Sequence, residues 1–182
     1  MRSALTALLE PADDIEASSA CWEKAPTQAR SLLPDLCVVD ADCPGSSRLP
    51  DHPTGQCELL VLATSCRPGV LRRAAQAKAL GFVNKDASPA QLLNAIRLVA
   101  AGKRYVDASL APDLVQAADM SLTPRELSVL ALASDGATVP ETAGTLQLSK
   151  GTVRNYMSAI IRKTNARNWT DAIRISQGAG WV

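Results

Sequence analysis

The stretch SKGTVRNYMSAIIRK, Ser149 to Lys163, has two chemically different faces when it is wound as an α-helix. Residues separated by three, four, seven or eight positions lie on one side of a helix. That spacing gives an apolar stripe made of Val153, Met157, Ile160 and Ile161. The other side has cations, an amide and a hydroxyl but no carboxylate, and it consists of Lys150, Arg154, Asn155, Ser158 and Arg162. The pattern predicts a helix that packs on one face and presents a positive surface on the other.

The charge distribution around this helix favours a polyanionic partner. Residues 142–170 contain no Asp or Glu, whereas five cations lie there: Lys150, Arg154, Arg162, Lys163 and Arg167. The whole chain has a net charge of only +1, but residues 122–182 have +3 and residues 1–121 have −2. Because solvated helices usually mix charges of both signs, a segment without acids is typical of a surface that binds nucleic acid.

The residues before and after this helix predict further short helices. Thr123-Pro-Arg-Glu126 and Thr138-Val-Pro-Glu141 are capping boxes, so helices are expected over residues 124–134 and from 138 to about 146. Ser149 is a good N-cap for the basic helix. A last helix is predicted from a cap at Thr170 to Gln177. Two short helices joined by a tight turn, with the second one basic, form a helix-turn-helix.

These residues resemble a known family. LTPREL at 122–127, TAGTLQLSKGTVRNYMSAIIRK at 142–163 and AIRISQGAGWV at 172–182 are similar to the LuxR-type helix-turn-helix of the NarL/FixJ response regulators, and GTVRNY at 151–156 to their DesR-like branch. The resemblance implies a four-helix DNA-binding domain at 121–182. It also implies a homodimer on an inverted repeat in double-stranded promoter DNA. We expect the dimer contact to involve the last helix, with Ala172, Ile173 and Ser176 on one side, or the exposed leucines of the helix at 1–9.

Side-chain chemistry suggests a role for each polar residue of the basic helix. Arg154 and Asn155 are assigned to base edges, because guanidinium and amide groups make bidentate contacts with bases. Ser158 is a weaker candidate for base contact. The remaining candidates are assigned to phosphates and are Lys150, Thr152, Tyr156, Arg162 and Lys163.

The N-terminal part of the sequence alternates predicted helices and strands. Helices are expected at 1–9, 27–33, 70–80 and 88–101, and strands at 15–22 (weakly), 36–39, 59–63 and 82–84. A connecting helix is expected within 105–121. This alternation predicts a parallel α/β sheet, in which functional side chains gather where the strands end. Asp40 and Lys85 lie at two such strand ends.

A second resemblance covers residues 2–104. PDLCVVDADCPG at 34–45, LLVLATSCRPG at 59–69 and GFVNKD at 81–86 are similar to a flavodoxin-like receiver domain. The resemblance implies that Asp40 is the phospho-acceptor, Lys85 pairs with the phosphate and Phe82 is the aromatic switch. The switch hydroxyl position falls on Ala63, with Thr64 one residue late. The predicted organisation is a receiver-like domain at 1–104, a linker helix at 105–120 and the DNA-binding domain at 121–182.

The receiver resemblance has gaps that bear on its chemistry. The chain aligns from the first helix onwards, so the first strand, which is central, and its Mg²⁺-binding acid pair are missing. Asp13 and Asp14 align with a later loop, and residues 46–56 contain Pro50, Pro53 and Gly55 where a helix is expected. Asp40 with a carbonyl supplies too few oxygens for Mg²⁺. We therefore expect no metal or cofactor, no phosphorylation of Asp40 in this chain, and a sheet that needs a substitute partner or is loosely ordered.

Several alternatives stay open at this point. One alternative is an ordinary regulator, phosphorylated by a sensor kinase, whose native start lies upstream of Met1. Another is a degenerate receiver, and Ala63 and the prolines at 46–56 favour this second alternative. A third alternative is an N-terminal domain that senses a small molecule or a protein. An enzyme is disfavoured, because no nucleophile–base set, P-loop or dinucleotide motif is present. Five cysteines without a C-x-x-C and a single His do not match a zinc site. No apolar run suits a membrane span, and a cytoplasmic protein is expected.

Overall fold

A computed structural model of the chain describes residues 2–43 and 57–182. In the N-terminal part the elements are α1 (Arg2–Leu9), α2 (Ala25–Leu32), β1 (Leu36–Asp40), β2 (Glu58–Ala63), α3 (Pro68–Gln76), β3 (Gly81–Asn84), α4 (Pro89–Ala100) and β4 (Tyr105–Val106). A 3₁₀ turn at Ala108–Leu110 leads into α5 (Ala111–Asp119). The C-terminal part consists of α6 (Pro124–Ser134), α7 (Val139–Leu146), α8 (Lys150–Lys163) and α9 (Trp169–Gly178). The proline-containing stretch 46–56 lies outside the described residues.

The four strands form one parallel sheet in the order β1-β2-β3-β4. Val38 pairs with Leu60, and Leu62 pairs with Val83, so the carboxyl ends of β1, β2 and β3 meet at one edge. This arrangement confirms the predicted parallel α/β fold. It also brings Asp40, at the end of β1, close to the residues that follow β2 and β3.

Side chains of β2 alternate between two apolar layers, as expected for a strand buried on both faces. Leu59, Val61 and Ala63 pack with residues of α3 and α5 on one face of the sheet. Leu60 and Leu62 pack on the other face with α4, and the leucines of α1 join that layer. The predicted apolar face of α4 is confirmed, since its buried residues are Leu92, Ala95, Ile96 and Val99.

The predicted strand at residues 15–22 is wrong, because this segment has no regular secondary structure. A strand is stable only when its N–H and C=O groups pair with a neighbour. Among the described residues no strand lies against the outer edge of β1, so no substitute for the central strand is present there. β1 is therefore an edge strand, and its Val38 is 37% exposed.

The segment predicted as a connecting helix is more closely tied to the sheet than expected. Its first two residues form β4, where Tyr105 pairs with Gly81, and the helix itself begins only at Ala111. In α5 the carboxylate of Asp113 accepts a hydrogen bond from the Cys66 backbone N–H at 2.8 Å. Leu110 is fully buried in the same apolar layer as α3. Residues 105–119 thus pack on the first domain as part of it.

The four C-terminal helices enclose a second apolar core. Both capping boxes are confirmed, as the side chains of Thr123 and Thr138 accept the N–H groups of Glu126 and Glu141. Fully buried Leu127, Leu130 and Ile160 form the centre of this core, and burial of each contributes roughly 1.5–3 kcal/mol to stability. No helix in the described part of the chain is long and apolar enough to cross a membrane.

The last helix begins differently from the prediction. Asn168, not Thr170, is its N-cap, and the Asn168 Oδ1 atom accepts the Asp171 N–H at 2.9 Å. Thr170 follows Trp169 and lies inside the helix. Both residue types favour N-caps, so the sequence alone did not distinguish them.

Candidate functional site

The two faces of α8 are placed as its sequence predicts. Val153 and Ile160 are buried in the helical core, and Met157 and Ile161 pack against it. The Ser149 hydroxyl accepts the Thr152 backbone N–H at 3.0 Å, which confirms the predicted N-cap. These contacts fix the helix on α6 and α7 with its polar side turned outward.

The outer face of α8 is a surface of exposed polar side chains. We define this face as Lys150, Arg154, Asn155, Ser158 and Arg162, all of which are exposed. Its three cations have no ion-pair partner among the residues that the structure describes. The Ser158 hydroxyl donates to the Arg154 carbonyl at 3.1 Å, so only its lone pairs face outward. The face combines unpaired positive charge with amide and guanidinium groups suited to base edges and phosphates.

The remaining three predicted DNA contacts do not lie on the outer face. Tyr156 is half-buried and packs against the helical core. The Thr152 hydroxyl is within hydrogen-bonding distance of the Ser149 hydroxyl at 2.8 Å. Lys163 places its Nζ atom 2.7 Å from Oε2 of Glu126, on α6. The structure therefore separates five outward side chains from three that make contacts within the domain, of which Tyr156 and Lys163 join α8 to its neighbours and Thr152 contacts the N-cap of α8.

The Lys163 contact gives a partner within the domain to a residue that the sequence assigned to phosphates. The Glu126 side chain is only 5% exposed, and its carboxylate also accepts the Thr123 N–H at 2.6 Å. Burial by itself raises the pKa of Glu126, but the Lys163 ammonium and the Thr123 hydrogen bonds outweigh it and lower the pKa overall. At neutral pH the carboxylate is charged, and Lys163 is its cationic partner.

A second group of polar residues lies where the parallel strands end. We call Asp40, Asp42, Thr64, Arg67 and Lys85 the sheet-edge cluster. Lys85 Nζ lies 2.5 Å from Asp40 Oδ1 and 2.6 Å from Asp42 Oδ2, so the predicted contact between Asp40 and Lys85 is present. Burial lowers the pKa of Lys85, but the two carboxylates raise it by more, which keeps the ammonium charged.

Asp42 and Arg67 are the members of this cluster that sequence reasoning missed. The Thr64 hydroxyl donates to Asp42 Oδ2 at 2.9 Å, and Arg67 Nη1 donates to Asp42 Oδ1 at 2.8 Å. Burial raises the pKa of Asp42, while Lys85, Thr64 and Arg67 lower it more strongly. Both carboxylate oxygens of Asp42 are thus occupied by donors.

The other predicted switch residues lie in the core beside the cluster. Ala63 is fully buried and Phe82 is 6% exposed, and both belong to the apolar layer on the α3 side of the sheet. Thr64, one residue after Ala63, provides the hydroxyl, but that hydroxyl donates to Asp42 and not to Asp40. Thr64 therefore contacts Asp42 and not the predicted phospho-acceptor Asp40.

The described residues do not fit a bound Mg²⁺ ion. Mg²⁺ requires octahedral coordination by oxygen atoms. Asp40 and Asp42 are instead paired with Lys85 and Arg67, and no group of three or more His, Cys, Asp or Glu side chains suited to a metal occurs in residues 2–43 and 57–182. Asp14 forms an ion pair with Arg97 on α4. We therefore assign no chemical step to a metal.

Two surface depressions provide little support for small-molecule sensing. The cleft beside Lys85 has a volume of about 240 Å³ and is lined mainly by Leu5, Leu8, Leu62 and Leu92. That volume is below the 300–1,000 Å³ typical of ligand pockets. The second, of about 540 Å³, lies along α2 and is lined mostly by polar side chains such as Ser18, Lys24 and Gln28. Ligand pockets are usually apolar with few polar groups.

Comparison with known proteins gives consistent matches over the whole chain. The family described as "Bacterial regulatory proteins, luxR family" matches residues 120–176. The response regulator RamR of Streptomyces coelicolor is 47% identical over 189 residues, covering 100% of this chain and 93% of that protein. The transcriptional regulatory protein DesR of Bacillus subtilis is 38% identical and covers 98% and 92%. The RcsB response regulator of Salmonella typhimurium has the same fold, with a TM-score of 0.76 at 18% identity over 98% and 92% of the two chains.

Proposed function

The chain belongs to the response regulators and is a DNA-binding transcriptional regulator with a LuxR-family domain, and we propose that it binds promoter DNA through the outer face of α8. The observation that carries this proposal is the set of three exposed cations on α8 without acidic partners among the described residues. Arg154 and Asn155 lie at the middle of the helix and are proposed to contact base edges. Lys150 and Arg162 are proposed to contact phosphates on either side of them.

Thr152, Tyr156 and Ser158 retain narrower proposed roles. Thr152 and Tyr156 are at the border of the outer face, where their hydroxyls can still reach a phosphate. Ser158 is proposed as an acceptor from a base, because its own hydrogen is used within the helix. Lys163 is no longer proposed as a phosphate contact.

The receiver-like domain is proposed to work without phosphorylation of Asp40. The support is electrostatic, since Lys85 is shared by Asp40 and Asp42 and Arg67 pairs with Asp42. A phosphoryl group on Asp40 would add negative charge beside Asp42 without a further cation in the cluster. We propose that the protein acts in the cytoplasm, where promoter DNA is located. No enzymatic activity is proposed for it.

A homodimer on an inverted repeat is proposed by analogy, because solved structures of the same fold include two RcsB dimers bound to two parallel DNAs. The two predicted dimer surfaces are both used within the chain. Ala172 and Ser176 of α9 are fully buried in their own domain, and the leucines of α1 pack on the sheet. We therefore assign no dimer surface, and the proposal concerns the assembly alone.

DNA binding is tested with a duplex selected by the full-length protein from a random pool. Arg154→Ala is expected to weaken binding to this duplex by about 1–3 kcal/mol and to relax the preference at one base pair. Fluorescence anisotropy at several salt concentrations gives the affinities. Arg104→Ala, which removes an exposed cation outside the helical domain, is the matched control. Equal affinity and equal base preference for Arg154→Ala and wild type would refute the assigned face.

A further inference from the structure

The carboxylate of Asp42 joins two segments of chain that are far apart in the sequence. Lys85 reaches it from the end of β3, while Thr64 and Arg67 reach it from the loop between β2 and α3. Among the described residues, Asp40 has fewer partners, since its Oδ1 atom accepts the Asp42 N–H and the Lys85 ammonium. The loop at residues 64–67 is therefore attached to the sheet edge through Asp42.

The same loop touches the C-terminal end of the chain, which we call the tail and define as residues 180–182. The Cβ atom of any side chain at Gly180 would collide with the Cys66 carbonyl oxygen, and one at Gly69 would collide with the Trp181 backbone. Gly180 also has a φ of +68°, which glycine adopts without strain. Trp181 and Val182 pack at the same time on the helical core of the DNA-binding domain. The tail thus contacts both domains, and two glycines permit that contact.

The middle of the loop is fixed on both sides. The Cys66 N–H is bonded to Asp113 on α5, and the Cys66 carbonyl faces Gly180. Cys66 itself has a φ of +66°, an unusual conformation for a residue with a side chain. Such a conformation persists when its surroundings hold it. Thr64 and Arg67, which flank Cys66, are both held by Asp42.

We propose that Asp42 is a positioning residue whose carboxylate, in place of a phosphoryl group, holds loop 64–67 in the shape that seats the tail on α3. This inference rests on the proposed phosphorylation-independent function and names the residue responsible. Asp42 supplies a permanent anion for Lys85, Thr64 and Arg67, so the two domains remain joined at the tail without modification. The outer face of α8 is exposed in the same arrangement, so the joined state is open to DNA.

The proposal is tested by NMR on the ¹⁵N-labelled full-length protein without DNA. The backbone amide signal of Trp181 reports the seating of the tail, because the Trp181 backbone lies against Gly69, and the indole N–H signal of Trp169 reports the helical core. Asp42→Ala is expected to shift the Trp181 backbone amide signal while the Trp169 signal stays in place. Gly69→Ala, which blocks the seat directly, is expected to move it in the same direction. Asp14→Ala removes a carboxylate that pairs with Arg97 outside the cluster, and it is expected to leave both signals unchanged.

A milder variant keeps the test informative if Asp42→Ala unfolds the protein. Arg67→Gln removes one ion pair of Asp42 and leaves its ion pair with Lys85 and its hydrogen bond from Thr64, so a smaller shift of the Trp181 signal is expected. An unmoved Trp181 signal in Arg67→Gln and in any folded Asp42→Ala sample, together with a shifted one in Gly69→Ala, overturns the role of Asp42. Failure of phosphorylation independence would appear separately, as acetyl phosphate labelling of Asp40 in the wild-type chain.

Discussion

Replacing Lys163 by methionine separates a role in folding from a role in DNA binding. Lys163 follows Val153 by ten positions, which places it about 80° around the helix from that buried residue. Its ammonium is bonded to Glu126, whose side chain is 5% exposed, and its own side chain is 30% exposed. Methionine keeps the aliphatic length and removes only the charge, so the Glu126 carboxylate loses its cationic partner.

The expected loss of stability follows from the burial of the pair. Removing one partner of a fully buried ion pair costs about 3–5 kcal/mol. The Lys163 side chain is partly solvated, and Glu126 keeps its hydrogen bond from Thr123, so the cost falls near the low end of a hydrogen bond to a charged group, about 1.5 kcal/mol. In a protein of this size that corresponds to a decrease in Tm of about 3–6 °C.

Urea unfolding at pH 7, followed by circular dichroism, measures this loss. Arg162→Met is the matched control, because Arg162 is the adjacent cation, is exposed and has no ion-pair partner among the described residues. A double-mutant cycle with Glu126→Gln isolates the pair, and a coupling of about 1 kcal/mol is expected. The reasoning would be refuted if Lys163→Met left the stability unchanged and reduced the slope of log K against log salt concentration by about one. That result would assign Lys163 to a phosphate contact.

Three further outcomes are expected. Asp40→Asn should leave DNA affinity within a few-fold of wild type, and mass spectrometry after acetyl phosphate treatment should show no modified Asp40. The pKa of the Asp42 carboxyl is lowered below its ordinary 3.8, so the stability that its ion pairs contribute is present above pH 3.8 and is lost as the pH falls through the lowered pKa. In Asp42→Asn, the free energy of unfolding measured with urea should therefore depend less on pH in the acid range. Ala172→Leu should destabilise the helical domain by about 1–3 kcal/mol, independently of protein concentration. Unchanged stability together with a lower fraction of dimer in solution would contradict the buried position of Ala172.

Features fixed by neighbouring residues were predictable from the sequence. The capping boxes at Thr123 and Thr138 and the cap at Ser149 involve partners only three residues away, and all three are present as expected. The strands around Val39 and Val61 were recognisable from their continuous apolar runs, although β2 is buried and β1 is only half-buried. Local rules therefore predicted the helix-turn-helix and most of the sheet.

Features that depend on distant partners were not predictable in the same way. Asp42 gains its importance from Thr64, Arg67 and Lys85, which are 22, 25 and 43 positions away in the sequence. Residues 15–22 form no strand, although the outer edge of β1 has no partner among the described residues, and their own composition does not show this outcome. For Lys163 a signal did exist, since its angular position beside half-buried Tyr156 placed it at the border of the polar face.

Among the described residues, no strand pairs with the outer edge of β1, and this edge promotes association at high protein concentration. A strand whose N–H and C=O groups lack a neighbour is a template for pairing with another chain. Natural edge strands often contain Lys or Pro, which oppose such pairing, but residues 36–39 of β1 are Leu, Cys, Val and Val. Concentrated samples of this chain are therefore expected to associate edge to edge, and Val38→Lys, at its most exposed apolar position, is the change that should keep them dispersed.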